Sequence, residues 1–106
     1  MSEAIVVLTT FPDRPSAEQA ARALVEGGLA ACVNVLPEMT SIYRWQGALQ
    51  QDSEHQLVIK TVARRLADID AWLRRHHPYE LPELVALPVQ GGSRDYLNWL
   101  ETSTHG

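Results

Sequence analysis

The order of its apolar segments is the feature of this 106-residue sequence that most restricts its fold. Residues 4–8 form a consecutive, β-branched apolar run, which is typical of a strand covered on both faces. Ser16 then stands three residues before Gln19 in capping-box spacing, and apolar residues recur at helical intervals until Gly27 and Gly28. The chain therefore begins with a predicted strand followed by a predicted amphipathic helix.

The middle of the chain predicts a long hairpin. Pro37 and Glu38 interrupt its outgoing strand, and Gln46-Gly47 provides the turn into the return strand. The extended segments are residues 31–36, 40–45, 50–54 and 57–60. Because residues 50–54 are polar, we expect the hairpin to have a polar tip that projects from the domain.

A second helix and a fourth strand complete the pattern. Residues 63–76 have helical periodicity, and Pro78 ends the predicted helix. Residues 84–89 form the last predicted strand, and a short helix follows Gly91-Gly92-Ser93. The order is therefore β-α-β-β-α-β plus a C-terminal helix, in a single domain that covers residues 1–106.

This order predicts an α+β fold, a ferredoxin-like split βαβ sandwich with a four-stranded antiparallel sheet and a long hairpin between its second and third strands. Right-handed crossovers place both long helices on one face of the sheet. The first and third strands are then central, and the second and fourth are edges. Pro37 and Pro88 fall in the predicted edge strands, where proline is tolerated.

The other face of the sheet predicts an oligomer. Residues 5–8, 33–36 and 84–89 offer apolar side chains to both sides of the sheet, whereas the two long helices cover one side. A monomer would expose more apolar surface than the few hundred Å² that soluble monomers usually show, and its edge strands would stay open. We therefore expect a homo-oligomer that packs sheet faces together and uses the hairpin as an arm between subunits.

Charge and cysteine content exclude several classes of protein. The formal net charge of -4 offers no basic surface for a nucleic-acid backbone. The single cysteine, Cys32, excludes an intrachain disulfide and a CxxC metal or redox pair. The first apolar run ends at Thr9, too short for a signal peptide or membrane span, so we expect a cytoplasmic protein without membrane or nucleic-acid partners.

The segment 76–83 concentrates polar chemistry between two prolines. His77 and Glu80 stand three residues apart, and imidazole with carboxylate suits a borderline divalent ion such as copper or zinc. The alternative is a hydrogen-bonded connector in which His77 and Tyr79 pack against the next element. Cys32, between two apolar neighbours, is either a thiolate ligand or a small buried hydrophobe.

Topology predicts which of these side chains meet. The hairpin tip and the end of the second helix lie at the same end of the sheet, which places His77 and Tyr79 beside Tyr43 and Trp45. The opposite end, roughly 20 Å away, is expected to hold Cys32, Thr10, Lys60, Thr61 and Gly91. Cys32 and His77 of one subunit then cannot share a metal ion, and only a neighbouring subunit could unite them.

Other polar and aromatic positions allow two interpretations each. Lys60 ends an apolar run, and its ammonium group suits either a salt bridge or a ligand. Tyr43 and Trp45 alternate onto one strand face, as interface packing or as the wall of an aromatic cleft. Gly91-Gly92-Ser93 suits a turn or an anion at a helix N-terminus. No nucleophile, base and orienting group meet at one end, so we do not expect an enzyme.

The sequence resembles the divalent-cation tolerance protein CutA family across nearly its whole length. The resemblance is carried by Ala31-Cys-Val-Asn34, Tyr43-x-Trp45-x-Gly47, Lys60-Thr61, His77-Pro-Tyr-Glu80-x-Pro82-Glu83 and Tyr96-Leu-x-Trp99. It implies a ferredoxin-like subunit in a tight homotrimer with interlocking hairpins, and a role in tolerance to copper and other divalent ions. The bound ion would be Cu(II) or another divalent cation, with no organic cofactor.

The resemblance also implies a cleft between subunits. By position, it would include Tyr43, Trp45, Glu54, Lys60, His77, Tyr79 and Glu80. The implied metal donors are Cys32, which would supply the thiol for copper, His77 and Glu80. Since such trimers also resemble the PII nitrogen-signalling proteins, the competing hypothesis is a scaffold that recognises a small anion or a protein partner in this cleft.

Overall fold

The computed structural model describes residues 3–104 and confirms the predicted alternation of strands and helices. Two long helices, a short C-terminal helix and a single 3-10 turn accompany five strands within this range. The elements are β1 (Ala4–Phe11), α1 (Arg14–Glu26), β2 (Cys32–Val35), β3 (Met39–Trp45), β4 (Ala48–Val62), the 3-10 turn (Ala63–Arg65), α2 (Leu66–His76), β5 (Val85–Pro88) and α3 (Arg94–Thr102).

The sheet has the predicted order, with β2-β4-β1-β5 from edge to edge. Strands β1 and β4 are central and antiparallel, and Pro88 lies in edge strand β5, as expected. The structure has five strands where four were predicted, because Pro37 and Glu38 separate β2 from β3. Proline has no N–H to continue a ladder. Strand β3 instead pairs with the first half of the 15-residue β4 and forms the projecting hairpin.

The hairpin turn is confirmed at Gln46-Gly47. Both residues have positive φ, 51° and 83°, which is the backbone of a two-residue type I′ turn. Helix α1 begins earlier than the capping-box spacing at Ser16 suggested. Its N-cap is Asp13, whose carboxylate accepts a 2.8 Å hydrogen bond from the backbone N–H of Ser16.

Helices α1 and α2 cover the same face of the sheet, as the topology predicted. Alternate residues of β1 and β4 meet the apolar stripes of both helices in one core. This core includes Val7, Phe11, Leu24, Leu57, Ile59, Ile69 and Leu73. None of the three helices within residues 3–104 has the length and apolar character that a membrane crossing requires.

The opposite face of the sheet is largely uncovered. Only its end is closed, where Leu100 of α3 packs on Ala4 and Val62. Beyond α3, cross-strand partners present an apolar surface that we call the open face. It includes Val6, Leu8, Val58, Val85 and Leu87. Val85 and Leu87 are 46% and 47% exposed, so the single chain leaves this surface to solvent.

The register corrects the predicted position of Thr10. We expected it at the end of the sheet that holds Cys32 and Lys60, but it pairs with Gln56 at the end nearest the hairpin. The reason is that β1 runs towards the hairpin, so its last residues lie beside the middle of the long β4. Lys60 pairs with Val6 and Cys32, about four residues further along.

Candidate binding cleft

A cleft of about 1000 Å³ lies between the base of the β3–β4 hairpin and the loop that follows α2. Its lining combines aromatic rings, carboxylates and apolar side chains. The aromatic residues are Tyr43, Trp45 and Tyr79, and the carboxylates are Glu54, Glu80 and Glu83. Thr10 and Gln56 continue the lining onto the open face, so the cleft adjoins that surface.

The hairpin wall of the cleft follows from strand register. Tyr43 and Trp45 are two residues apart on β3, and their side chains therefore project to the same face. Met39 on β3 pairs with Glu54 on β4, which places Glu54 on that face as well. Ser41 pairs with Asp52, and the Tyr43 hydroxyl donates a hydrogen bond to the Asp52 carboxylate.

The loop wall is fixed by His77. Its ring lies 4.3 Å from the Phe11 ring and 4.8 Å from the Tyr79 ring, measured between centroids. Nε2–H donates to the Thr10 carbonyl at 2.6 Å, and Nδ1 accepts from the Tyr79 backbone N–H at 3.0 Å. Burial lowers the pKa of His77 below its usual 6.5, which agrees with a neutral ring that has one donor and one acceptor nitrogen. Nε2 therefore holds the loop against β1, and Nδ1 fixes the backbone within the loop.

Tyr79 connects the two walls. Its hydroxyl donates to Glu54 Oε2 at 2.8 Å, and Glu54 is only 8% exposed. Burial raises the pKa of Tyr79 well above its usual value of 10, and the hydrogen bond to Glu54 acts in the same direction. The hydrogen bond to Asp52 is the main reason that the pKa of Tyr43 is also raised. Both phenols remain protonated donors at neutral pH.

The electrostatic character of the cleft is acidic. Burial raises the pKa of Glu83, and the negative charge of nearby Glu54 raises it further, although a hydrogen bond with Gln56 opposes both effects. Among the described residues that line the cleft, none is lysine, arginine or histidine. The cleft is therefore suited to a positively charged group rather than to an anion.

Five of the seven residues expected in the cleft line it in the structure, namely Tyr43, Trp45, Glu54, Tyr79 and Glu80. A sixth, His77, supports the loop that carries Tyr79. Lys60 does not join them. It lies six residues beyond Glu54 on β4, a distance of about 20 Å at 3.3 Å per strand residue.

The three predicted metal donors do not meet within one chain. Cys32 pairs with Lys60 at the far end of the open face, whereas His77 holds the loop and Glu80 is exposed at the cleft. Within residues 3–104, no group of three or more histidine, cysteine, aspartate or glutamate side chains is arranged to hold a metal ion. A site that contains Cys32 and His77 would require a second subunit, as the topology predicted.

Sequence analysis did not select Asp52, Gln56 or Glu83 as site residues. The alternation of polar residues Asp52, Glu54 and Gln56 along β4 was an available signal, because residues two apart share a face. Glu83 was visible only as part of the proline-bounded segment. Its proximity to Glu54 depends on how the loop folds back across the sheet.

Comparison with known proteins identifies the family of a chain with this fold and cleft. Residues 5–103 match the model of the CutA1 divalent ion tolerance protein family. The chain belongs to the CutA family. A divalent-cation tolerance protein CutA from Thermus thermophilus is 48% identical over 99 residues, which cover 93% of this chain and 96% of the relative. A Yersinia pestis protein of the same name is 46% identical over 96% of this chain and 86% of its own length.

Solved structures of the family share the fold. The Thermus thermophilus protein superimposes with a TM-score of 0.94 at 46% identity, over 96% of this chain and 99% of the other. A structure described as the periplasmic divalent cation tolerance protein CutA from Archaeoglobus fulgidus gives 0.92 at 27% identity, over 96% and 99%. The ferredoxin-like fold and the predicted resemblance are thus confirmed, and family membership supports a role in divalent-cation tolerance.

Proposed function

We propose that this protein is a cytoplasmic homotrimer, each subunit one domain of residues 1–106, that binds divalent metal ions, copper foremost, and contributes to divalent-cation tolerance without catalysing a reaction. One observation carries the proposal. The open face is apolar, and it bears Cys32, the sole thiol in the sequence, opposite Lys60. Assembly through this face would bring thiols and cleft residues of different subunits closer together.

The open face and the sheet edges support the assembly. Val85 and Leu87 are nearly half exposed, although each would be stabilised by removal from water. Strands β2 and β5 are edges with unpaired backbone groups, which favour pairing with another chain. The hairpin exposes Ile42 and Leu49, at 64% and 71%, and these apolar side chains suit an arm that packs on a neighbouring subunit.

Donor chemistry supports copper. A cysteine thiolate is a soft ligand that favours copper over magnesium or calcium, and carboxylate oxygens occur beside cysteine and histidine among the ligands of the borderline ion zinc. Cys32 is half-buried and forms no disulfide, and Glu80 is exposed. We propose these two residues as donors from different subunits. His77 can contribute only if its ring releases one of its two hydrogen bonds.

Calorimetric titration of the purified protein with Cu(II) tests this function. We expect saturable, stoichiometric binding that is lost in Cys32→Ser and weakened in Glu80→Gln. His76→Ala is the matched control for adventitious imidazole binding, because His76 is exposed beside the loop but outside the cleft. Weak, nonsaturating copper uptake that is the same in all four proteins would contradict the proposal.

The cytoplasmic location proposed from the short first apolar run agrees with the free thiol of Cys32, which is stable in a reducing compartment. The Archaeoglobus fulgidus relative is described as periplasmic. Cell fractionation with antibody detection separates the two locations, and recovery of the protein in the periplasmic fraction would contradict this part of the proposal.

The competing hypothesis of an anion-binding, PII-like scaffold gains no support from this cleft. Glu54, Glu80 and Glu83 would repel an anion, and Lys60 lies about 20 Å from Glu54 in the same chain. A scaffold of that kind would need basic groups from another subunit.

A further inference from the structure

A β-bulge separates β2 from the β3–β4 hairpin. Val35 of β2 pairs with Leu57, and pairing resumes with Met39 opposite Glu54. The three residues between Val35 and Met39 therefore lie opposite only two residues of β4, so one strand contains an extra residue. We call residues 36–38 the bulge.

The bulge determines which side chains of β3 face the cleft. Val33 and Val35 of β2 are odd-numbered, and both pack against the core on the helix-covered side of the sheet. Beyond the bulge the odd-numbered residues of β3 lie on the other face, because the partner of Met39 is Glu54, which lines the cleft. One extra residue thus reverses the alternation and directs Tyr43 into the cleft, together with the other odd-numbered positions of β3.

The side chain of His55 closes the bulge. His55 is 8% exposed, and its Nδ1–H donates to the Leu36 carbonyl at 3.0 Å. The backbone N–H of Leu36 donates to the Gln56 carbonyl at 2.9 Å. In an uninterrupted ladder hydrogen-bonded partners exchange both bonds, and the Leu36 carbonyl would accept from the N–H of Gln56. His55 instead provides a donor that fits the bulge, and the next residue, Pro37, has no N–H that could extend the ladder.

The hairpin has a second register available to it. Its observed turn has two residues, the second of which is Gly47 with φ 83°. A three-residue loop that ends in a left-handed glycine is the next most common hairpin connection. This loop would place Tyr43 opposite Leu49 instead of Gln50 and would continue the ladder of β2 without an extra residue. A slip of one residue would also turn Tyr43 away from the cleft.

We propose that His55 is a positioning residue that selects the bulged register and thereby directs Tyr43 and Trp45 into the cleft. It acts through the Leu36 carbonyl, and its side chain lies on the face of β4 opposite to Glu54, so it does not line the cleft. The consequence for ligand binding rests on the proposed function. The register itself lies within each subunit and is measured without copper, so a failure of copper binding or of trimer formation leaves it measurable.

NMR spectroscopy of the full-length, metal-free protein tests the proposal with His55→Leu, which keeps a buried side chain but removes the donor. We expect the backbone amides of β3 to exchange with solvent about tenfold or more faster than in the wild type, since a part-buried carbonyl loses its partner. The amides of residues 57–61 should keep their wild-type rates. Cross-strand nuclear Overhauser effects should shift from Tyr43–Gln50 to Tyr43–Leu49.

His55→Asn and His76→Leu are the matched controls. The asparagine side chain has an N–H donor close to the position of the imidazole Nδ1, so the bond to the Leu36 carbonyl remains possible and the native register should be retained. His76→Leu makes the same replacement at an exposed histidine of α2 and should change neither the exchange rates nor the cross-strand contacts.

Deletion of Glu38 tests the bulge independently. Without this residue, two residues between β2 and β3 lie opposite two residues of β4, and the ladder needs no bulge. In this background His55→Leu should no longer accelerate the exchange of β3.

Four results would overturn the proposal. Unchanged Tyr43–Gln50 contacts and β3 exchange in His55→Leu would show that the bulge does not need this bond. Equal acceleration of β3 and of residues 57–61 would indicate a global loss of stability. A lost native register in His55→Asn would assign the effect to ring packing. Faster β3 exchange on His55→Leu in the chain that lacks Glu38 would show that His55 does not act through the bulge.

Discussion

At the scale of single residues, His77 organises the cleft. Its two ring nitrogens bond to Thr10 and to Tyr79, and the ring packs on Phe11. The first bond provides a donor for the carbonyl of Thr10, which is 5% exposed. The second fixes the backbone from which the Tyr79 hydroxyl contacts Glu54. The imidazole therefore positions other groups. Its neighbour His76 is exposed, and its ring lies 4.5 Å from the Trp72 ring.

We expect His77→Ala to lower the free energy of unfolding by about 1–3 kcal/mol at pH 7, because a buried carbonyl and a backbone N–H lose their partner. His76→Ala is the control and should change it by less than about 0.5 kcal/mol. Urea titration of the metal-free protein at fixed concentration measures both. Equal effects of the two substitutions would show that the His77 contacts do not stabilise the fold.

The same pair of variants tests the protonation state of His77. Because its folded-state pKa is lowered, His77 contributes stability that is present above pH 6.5 and is lost as the pH falls through the folded-state pKa. The stability difference between wild type and His77→Ala should therefore narrow from pH 7 to pH 5. A stability difference that stays constant over this range would contradict a neutral, half-buried His77 ring.

At the scale of elements, the β3–β4 hairpin determines where the cleft can be. Strand β4 is 15 residues long, and its first half extends beyond the four-strand core to pair with β3 alone. The turn at Gln46-Gly47 requires positive φ at both positions. This turn keeps the register that places Tyr43 and Trp45 on the face of Glu54.

Replacement of Gly47 by alanine tests the turn. A side chain at φ 83° should cost about 1 kcal/mol, although the added methyl group would contact nothing within 4 Å. Gly91→Ala is the matched control, since its added methyl group also has open space and its φ is not positive. Urea unfolding should give a lower free energy of unfolding for Gly47→Ala than for Gly91→Ala. A loss in Gly91→Ala as large as in Gly47→Ala would indicate that backbone conformation is not the cause.

At the scale of the whole molecule, the sheet has one covered and one open face. Helices α1 and α2 close the first around a continuous core, and α3 closes only one end of the second. The cleft adjoins the open face, so subunits that assemble through this face would contact each other next to the cleft. A formal net charge of -4 further favours cations at this surface.

The proposed assembly predicts that Leu87→Asp dissociates the trimer, because burial of a carboxylate in an apolar interface is costly. Val25→Asp is the control. Val25 is 41% exposed on α1, close to the 47% of Leu87, but it lies on the helical side of the molecule. Sedimentation velocity should show monomers for Leu87→Asp and trimers for Val25→Asp. A trimer in both would exclude the open face as the interface.

Apart from the separate strand β3, the sequence by itself determined the order of the elements and of the strands in the sheet, because hydrophobic periodicity and proline positions act over a few residues. It also identified Tyr43, Trp45, Tyr79 and Glu80 as neighbours. Pro37 predicted an interruption of the second strand. That the chain then forms a separate strand β3 depended on where backbone pairing with β4 resumes, which is at Met39.

Only the tertiary structure decided which polar groups are already engaged. The bond from His77 to Thr10 joins residues 67 apart, and that from Tyr79 to Glu54 joins residues 25 apart. Such contacts depend on strand register and loop path, which local sequence patterns do not encode. They determine that His77 supports the loop and that Glu54 lies buried beside an aromatic wall without a cation from its own chain.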